Sequence, residues 1–268
     1  MLTPLLVLLL FGCLTGVTTV LFGFGGGFIT VPVVYAFQTV TADSGTDAMH
    51  VAVATSTAVM LVNSLTATLV QLRLGRLRRE YLWPLPAFVA IGAVVGSVAT
   101  TWVDGPLLHV LFAAYLVVTI VDSLLRKGFV VPTHAVRPAP LGRLTTTFGG
   151  AGIGAVAACL GVGGSVMTVP LLRRRGLPMA EAAAMANPLS LPVAVVGSIV
   201  YALAAGSSAH AGRVGYVDLI SAAALLGGSL PTIAVVKRIG RRVPDRVHSV
   251  AYIALLVLVL FMMVLTGM

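Results

Sequence analysis

The chain has 268 residues, of which 58% are hydrophobic and only 9% are charged. In soluble domains roughly a quarter of the residues are charged. A soluble fold of this size cannot cover so much apolar surface, so a soluble globular domain is excluded. The formal net charge of +9 is carried by short arginine clusters between apolar runs. Such clusters are typical of topology signals in membrane proteins, and we therefore predict a lipid bilayer, and no nucleic acid, as the partner.

Apolar segments follow one another along the whole chain, and each is long enough to enter the hydrocarbon core of a bilayer. The segments lie at 4–37, 51–72, 82–103, 107–125, 144–172, 180–205, 216–236 and 247–267. The sequence therefore predicts an all-α polytopic protein of the cytoplasmic (inner) membrane, with about eight membrane segments.

Two of these segments are interrupted by a glycine cluster that is followed by a proline. The stretch from Gly23 to Pro32 aligns with the stretch from Gly161 to Pro170 at a constant offset of 138 residues. This self-similarity predicts an internal duplication into two homologous halves. The predicted divisions are a first repeat at 1–125, a basic cytoplasmic linker at 126–143 and a second repeat at 144–268.

The distribution of the basic residues predicts how the segments cross. If all eight segments crossed, 9 basic residues would lie on one side of the membrane and 8 on the other. If 4–37 and 144–172 are re-entrant hairpins, 16 basic residues lie on one side and 1 on the other. Because basic loops favour the cytoplasmic side, we predict one re-entrant hairpin and three full crossings in each half. The second half is then inverted and both termini lie outside, an arrangement that is recurrent in secondary transporters.

The glycine clusters predict an anion site. Consecutive glycines expose backbone N–H groups that lipid cannot satisfy, so such backbone must line a polar cavity. The helix that resumes after each cluster points its free N–H groups and its positive dipole end at the glycines. The predicted anion contacts are Gly25, Gly26, Gly27 and Thr30 in the first half, and Gly163, Gly164, Ser165 and Thr168 in the second.

The alternative is that the glycines only allow close packing of helices, as small residues do in membranes. That explanation is weakened for the two clusters because each is followed by Thr-Val-Pro at the same distance. We assign the glycines that lack this context, namely Gly92, Gly96, Gly227 and Gly228, to helix packing.

The next segment of each half places polar side chains among apolar ones. Thr55 and Ser56, followed by Asn63 and Ser64, lie in the first half, and Asn187 and Ser190 lie in the second. Pro188 and Pro192 remove backbone donors, and we predict that they break the helix there. Thr55, Ser56, Asn187 and Ser190 are predicted to line the substrate route, with packing at a kinked helix as the alternative for Asn187 and Ser190.

Charged residues near the segment ends carry weaker signals. Arg76 and Arg213 occupy corresponding positions in the two halves and are predicted to steer an anion towards the two mouths, with snorkelling to lipid headgroups as the alternative. Asp122 lies four residues before Arg126, a spacing that predicts an interfacial ion pair. Asp218 lies at the start of a segment, where an acidic residue suits the helix dipole.

The twin Gly-rich clusters and the stretch from Ala52 to Ser56 resemble the TauE/SafE family of sulfite exporters, and the similarity in layout runs along nearly the whole chain. This resemblance implies an anion permease for sulfite, sulfonates or related sulfur compounds. The second half has Asn187 and Pro188 where a second Thr-Ser pair would be expected by symmetry.

Together these features predict a secondary transporter for a small anion, and not an enzyme, because no nucleophile–base pair or metal cluster can be built from the spacing. No cofactor is predicted, and Cys13 and Cys159 support neither a disulfide nor a metal site. An anion channel and a non-transporting membrane assembly partner are the alternatives. The sequence leaves open a coupling ion, H⁺ or Na⁺, a homo-oligomer and the direction of transport.

Overall fold

The computed structural model describes residues 2–41, 47–75, 77, 82–125, 142–204, 212–236 and 243–267. The helices are α1 (Leu2–Phe22), α2 (Gly27–Thr41), α3 (Ala48–Arg73), α4 (Leu85–Thr100), α5 (Gly105–Leu125), α6 (Gly150–Leu160), α7 (Ser165–Arg174), α8 (Met179–Leu203), α9 (Leu219–Val236) and α10 (Asp245–Gly267). A π-helical turn, Thr145–Gly149, precedes α6. Two short strands, β1 (Arg213–Val214) and β2 (Val217–Asp218), form an antiparallel hairpin before α9. The predicted all-α polytopic class is confirmed.

Helix length does not reproduce the predicted division into crossings and hairpins. Helices α1, α3, α5, α8, α9 and α10 are long and apolar enough to cross a membrane. The first arm of a predicted hairpin, α1, is thus long enough to cross, whereas α4, a predicted crossing, has 16 residues and a length of about 24 Å. Among the described residues, six helices meet this length and composition; five of them lie at predicted crossings, and α1 takes the place of α4.

Both glycine clusters interrupt a helix. In the first cluster, break 1 (23–26), Gly23, Gly25 and Gly26 have φ values of +74°, +64° and +87°. In the second, break 2 (161–164), Gly161 and Gly163 have φ values of +67° and +68°. Only glycine adopts this left-handed region at no steric cost, and the chain therefore leaves the helix at these positions.

The prediction that Pro188 and Pro192 break their helix is wrong. Helix α8 continues from Met179 to Leu203 with both prolines inside it. Each proline removes one backbone donor, but its fixed φ is compatible with a helix. Helix α8 packs on α3, α4 and α7, and such neighbours stabilise proline-containing helices in membranes.

Helix α1 packs on α9 through glycines, with the two backbones in direct contact. A Cβ atom on Gly12 would lie 2.3 Å from the carbonyl oxygen of Leu225, and one on Gly16 would lie 2.6 Å from that of Ser229. The residue number of the α9 partner rises from 225 to 229 as the α1 residue changes from Gly12 to Gly16, so the two helices run parallel. Close approach of this kind requires small residues.

The matching contact in the other half joins α6 to α4. A Cβ atom on Gly92 would lie 1.9 Å from the carbonyl oxygen of Ala151, and one on Gly96 would lie 2.0 Å from that of Ala155. These helices also run parallel. The first arm of each broken hairpin therefore packs on the third segment of the opposite half.

The glycines assigned to packing divide into two groups. Gly92 and Gly96 lie in the α4–α6 contact, and a Cβ atom on Gly228 would lie 2.1 Å from the carbonyl oxygen of Leu9. The assignment of Gly227 is wrong, because nothing in the described part of the chain lies within 4 Å of a Cβ atom at that position.

Hydrogen bonds define the two ends of the bundle. Near the end of α2, the Gln38 side chain donates to the Asp218 carboxylate before α9, at 2.8 Å. We call this end the β-hairpin end. Near the end of α7, Arg173 forms a 2.9 Å ion pair with Asp245 at the start of α10. We call that end the arginine end.

Each broken hairpin has its two arms directed to one end. Because α1 runs parallel to α9, its first residues lie with the start of α9 at the β-hairpin end, where α2 also ends. Thr55, near the start of α3, accepts the Asp218 N–H at 3.0 Å, so α3 begins at the β-hairpin end. The His50 ring nitrogen, also near the start of α3, is 3.2 Å from the carbonyl oxygen of Thr100, the last residue of α4, so α4 ends at the β-hairpin end. Helix α6 is parallel to α4 and therefore begins at the arginine end, where α7 ends.

The outer surface is apolar. Large exposed side chains occur along the long helices, including Leu10, Val118 and Phe261. Trp83 and Trp102 flank α4 and are 74% and 85% exposed, which is typical of aromatic anchors at membrane–water interfaces.

Candidate functional site

Ser56 joins the two breaks. This side chain lies on α3 and is fully buried. The hydroxyl oxygen is 2.9 Å from the carbonyl oxygen of Gly27 and 2.7 Å from that of Gly161, and its single hydrogen is shared between the two. A Cβ atom on Gly27 would lie 2.8 Å from the same oxygen of Gly161. The broken helices of the two halves therefore meet at Ser56.

Met60 fills the space between the breaks one turn further along α3. The Met60 sulfur lies 2.5 Å from the Cβ position of Gly163 and 3.2 Å from that of Gly27. The side chain is fully buried. Sequence reasoning missed Met60 because a methionine in an apolar segment has no pattern that separates it from the core. The thioether is flexible and adapts its shape to its surroundings.

The helices after the breaks begin with free backbone donors. The N–H groups of Ile29 and Thr30 both donate to the Gly26 carbonyl, at 3.2 and 3.1 Å. Gly27 and Phe28, at the start of α2, are thus left with no acceptor within the helix. Such a helix start attracts negative charge.

The start of α7 repeats this arrangement. Met167 and Thr168 both donate to the Gly164 carbonyl, at 3.2 and 2.9 Å. The Ser165 hydroxyl is buried and has no hydrogen-bond partner within the described residues. This side chain, which was predicted to contact the anion, is therefore available as a donor at break 2.

Thr30 and Thr168 do not point free donors at the breaks. The Thr30 hydroxyl donates to the Gly26 carbonyl at 2.9 Å, and the Thr168 hydroxyl is 3.4 Å from the Ser165 carbonyl. Both hydroxyls thus turn back onto the first turn of their own helix. Gly25 and Gly26 lie in break 1 and Gly163 and Gly164 in break 2, all fully within the buried interior.

Asn187 and Ser190 lie near different breaks. The Asn187 amide nitrogen donates to the Thr19 carbonyl at 3.0 Å, just before break 1, and its oxygen has no partner in the ranges that the structure describes. The Ser190 oxygen is 3.3 Å from the Cβ position of Gly163 in break 2. The Ser190 hydroxyl donates to the Ala186 carbonyl of its own helix.

Two matched contacts fix how α3 corresponds to α8. A Cβ atom on Gly23 would lie 2.3 Å from the Ala183 carbonyl oxygen, and one on Gly161 would lie 2.9 Å from that of Val53. Val53 therefore corresponds to Ala183, and counting along both helices pairs Ser56 with Ala186. The expected pairing of Thr55 and Ser56 with Asn187 and Pro188 is off by two residues.

Thr55 belongs to the β-hairpin end. Its hydroxyl oxygen accepts the Asp218 N–H at 3.0 Å. The Asp218 carboxylate in turn accepts the N–H groups of Ile220 and Ser221, at 3.0 and 3.2 Å. Asp218 therefore caps α9, as an acidic residue at a helix start should.

Arg213 extends this network to β1. It donates to the Gln38 side-chain oxygen at 2.8 Å, and Gln38 bonds Asp218. Arg213, Gln38, Asp218 and Thr55 therefore form one chain of hydrogen bonds across the β-hairpin end. Sequence reasoning did not identify Gln38. The corresponding steering residue, Arg76, lies outside the described residues.

The arginine end is held by ion pairs. Arg173 contacts Asp245 at 2.9 Å and is buried. Asp122, for which a pair with Arg126 was predicted, forms an ion pair with Arg174 and so joins α5 to α7. Arg126 lies outside the described residues.

Two buried tyrosines hold the helices on either side of break 2. The Tyr201 hydroxyl donates to the Ala158 carbonyl at 2.7 Å, and the Tyr252 hydroxyl donates to the Val166 carbonyl at 2.9 Å. Break 2 is therefore anchored by side chains from α8 and α10.

A helical bundle with two broken hairpins that meet in its interior, and with an apolar outer surface, defines a multi-pass membrane protein of the transporter type. The chain belongs to the sulfite exporter TauE/SafE family, whose model matches residues 8–263. The chain is a membrane transporter.

Two relatives of the chain are named as probable membrane transporter proteins. A probable membrane transporter protein of Methanocaldococcus jannaschii is 23% identical over 225 residues, which cover 82% of this chain and 79% of the relative. A probable membrane transporter protein of Haemophilus influenzae is 26% identical over 185 residues, which cover 68% of this chain and 67% of the relative. No solved structure matches the chain.

Proposed function

We propose that the chain is a secondary transporter for a small anion, namely sulfite, an organosulfonate or a related sulfur oxyanion, and that the anion binds where the two breaks meet. The observation that carries this proposal is the contact of both breaks with Ser56. Ser56 joins the start of α2 at Gly27 to the end of α6 at Gly161. Met60 contacts the Cβ positions of both Gly27 and Gly163, so the starts of α2 and α7 lie in the same buried region. Two positive dipole ends that converge on one point stabilise a negative charge.

The binding groups are mostly backbone donors. Gly25, Gly26 and Gly27 supply the amides of break 1, and Gly163, Gly164 and Ser165 supply those of break 2, with the Ser165 hydroxyl added. Because glycine has no side chain, an anion approaches this backbone closely. Ser56, Asn187 and Ser190 lie beside the breaks and line the route. Thr30 and Thr168 stabilise the helix starts, and Thr55 acts at the β-hairpin end.

The hydrogen bonds and ion pairs at the two ends are the gates in this proposal. Arg213, Gln38 and Asp218 close the β-hairpin end, and Arg173 with Asp245 closes the arginine end. Each gate joins parts of different hairpins or crossings, so opening one exposes the breaks to one side. An occluded state with both gates closed is what alternating access requires.

The orientation in the membrane follows from charge. The arginine end faces the cytoplasm, because basic residues favour that side, and both termini lie outside. In bacteria this places the protein in the inner membrane. A membrane potential that is negative inside favours export of a monoanion by about 2.3 kcal/mol per 100 mV, and an H⁺ or Na⁺ gradient is the other energy source.

The test is flux in liposomes that contain the purified protein. Efflux of labelled sulfite or methanesulfonate is measured with and without unlabelled anion on the opposite side. A transporter shows acceleration by the trans anion, and Gly26→Leu and Gly164→Leu abolish flux, while Gly227→Ala, at an exposed position, retains it.

Two results would overturn the proposal. Flux that saturates poorly and is not accelerated by trans anion identifies a channel. The absence of flux of either anion, with protein that is inserted and folded, overturns sulfite and sulfonates as the transported anions.

A further inference from the structure

Two donors outside the proposed anion contacts face break 1 from α3. The amide nitrogen of Asn63 lies 2.8 Å from the Cβ position of Gly26, and the hydroxyl oxygen of Ser64 lies 2.2 Å from that of Gly25. Both side chains are fully buried. Neither of these two atoms has a hydrogen-bond partner among the residues that the structure describes. Buried polar groups are normally paired, and two unpaired donors that face the same break can bond a ligand there.

Ser229 orients Asn63. The Ser229 hydroxyl donates to the Asn63 side-chain oxygen at 2.8 Å, and this bond turns the amide nitrogen towards break 1. Ser229 belongs to α9, where its backbone contacts Gly16 of α1. The donor of Asn63 is therefore positioned by the same helix contact that holds the first arm of the hairpin.

Break 2 has no matching pair of donors on α8. The correspondence of Val53 with Ala183 places Val193 and Ala194 at the positions of Asn63 and Ser64. Both of these are buried apolar residues. The Ser165 hydroxyl is the side-chain donor that break 2 offers in the described ranges. The two breaks are thus chemically unequal, and side-chain donors are concentrated at break 1.

The donors at break 1 suit an oxyanion with several oxygens on one centre. Asn63 and Ser64 face consecutive glycines, whose Cα atoms are about 3.8 Å apart, and the start of α2 adds the N–H groups of Gly27 and Phe28. Donors at separate points bond separate oxygen atoms. All of these donors are neutral and bond the anion through its lone pairs. An oxyanion offers a separate oxygen atom to each donor, whereas a halide offers one centre that all the donors have to reach.

We propose that Asn63 and Ser64 form the head-group site of the transported anion at break 1, and that they select a sulfite or sulfonate head group over a halide. Ser229 is a positioning residue for Asn63. This inference rests on the proposed function and names the side chains that give it specificity.

The test measures binding of sulfite, methanesulfonate and chloride to the purified full-length protein by calorimetry. Ser64→Ala removes a hydroxyl that has no partner among the described residues. We therefore expect the unfolding temperature to stay unchanged and oxyanion binding to weaken about tenfold, the effect of one hydrogen bond. Asn63→Asp keeps the shape and the bond from Ser229 but replaces the donor with an acceptor. We expect it to abolish binding of both oxyanions.

Ser229→Ala separates positioning from packing. It frees the Asn63 amide to rotate, and we expect the preference for sulfite over chloride to fall about tenfold. A purely structural role would change the unfolding temperature and leave that ratio constant. Thr66→Val on α3 is the matched control, since the Thr66 hydroxyl bonds the Val62 carbonyl of its own helix; binding should stay within twofold of the original protein.

The outcomes separate this inference from the proposed function. If the original protein binds and transports sulfite, and folded Ser64→Ala and Asn63→Asp bind it equally well, the head-group site is wrong and the transport function stands. If the original protein binds and moves none of these anions, both are wrong. If Ser64→Ala and Asn63→Asp lose binding of sulfite and methanesulfonate while Thr66→Val keeps it, the head-group site is established.

Discussion

Gly27 and Gly161 touch in the interior although they belong to different halves of the chain. A Cβ atom on Gly27 would lie 2.8 Å from the carbonyl oxygen of Gly161, closer than real Cβ contacts. The Ser56 hydroxyl bonds both carbonyls. The relative position of the two breaks is therefore fixed by backbone atoms and by one side chain, so a movement of one hairpin acts directly on the other.

Removing the hydroxyl of Ser56 tests this link. In Ser56→Ala the carbonyls of Gly27 and Gly161 lose their shared donor, and burial of unsatisfied carbonyls costs about 1–3 kcal/mol. We expect a lower unfolding temperature in detergent and slower sulfite flux. Thr57→Val is the control, because the Thr57 hydroxyl donates to the Ala54 carbonyl of its own helix. Equal stability of the two variants would show that Ser56 does not hold the breaks together.

Adjacent glycines on α9 provide a test of the α1–α9 contact. A Cβ atom on Gly228 would lie 2.1 Å from the Leu9 carbonyl oxygen, so Gly228→Ala forces the helices apart and should destabilise the protein by about 1–3 kcal/mol. The Cβ position of Gly227 has no described atom within 4 Å. Because alanine favours a helix more than glycine does, Gly227→Ala should be neutral or stabilising by up to about 1 kcal/mol. Thermal unfolding of the two variants gives the comparison. The reverse order would contradict the observed packing.

The gate at the β-hairpin end is tested at Asp218. In Asp218→Ala, α9 loses its N-cap, which typically costs about 1–2 kcal/mol, and Gln38 loses the carboxylate that it bonds. We expect faster labelling of a cysteine placed at Ala52, which is fully buried near the start of α3. Asp104→Asn, an exposed carboxylate before α5, is the control and should leave the labelling rate unchanged. An unchanged rate in Asp218→Ala would mean that this network does not close the β-hairpin end.

Sidedness is tested by single cysteines in a Cys13→Ala, Cys159→Ala background. We expect a membrane-impermeant maleimide to label Val214→Cys in intact cells, and to label Arg175→Cys only after the cells are permeabilised, because basic loops stay in the cytoplasm. Val214 is 48% exposed at the β-hairpin end. Labelling of Arg175→Cys in intact cells would overturn the proposed orientation and the predicted positions of both termini.

The local features of the fold are predictable from sequence, and the long-range contacts are not. The helix breaks follow from consecutive glycines, whose conformational freedom is a property of the residues themselves. Met60 and Gln38 have no such signal, because their roles depend on partners brought together by the fold. The prediction of a helix break at Pro188 and Pro192 failed for the same reason, because the helices packed on α8 decide whether it stays continuous.

Roles within the candidate site divide in a similar way. The glycines were predicted from their pattern, and the structure places them at the junction of the two halves. Thr30 and Thr168 were expected to offer donors, but a threonine near the start of a helix satisfies its hydroxyl on the preceding turn. Only the three-dimensional register of α3 against α8 reveals that Asn63 and Ser64 have no equivalent in the second half.

The reciprocal packing of the broken hairpins has a consequence for biosynthesis. Gly12 of α1 rests on Leu225 of α9, and that partner is synthesised only after most of the chain has left the ribosome. At about 5–20 residues per second, the first hairpin waits for tens of seconds with its glycine surface uncovered. The α1–α9 contact therefore forms late in synthesis, and a truncation before α9 removes the partner of Gly12 and Gly16.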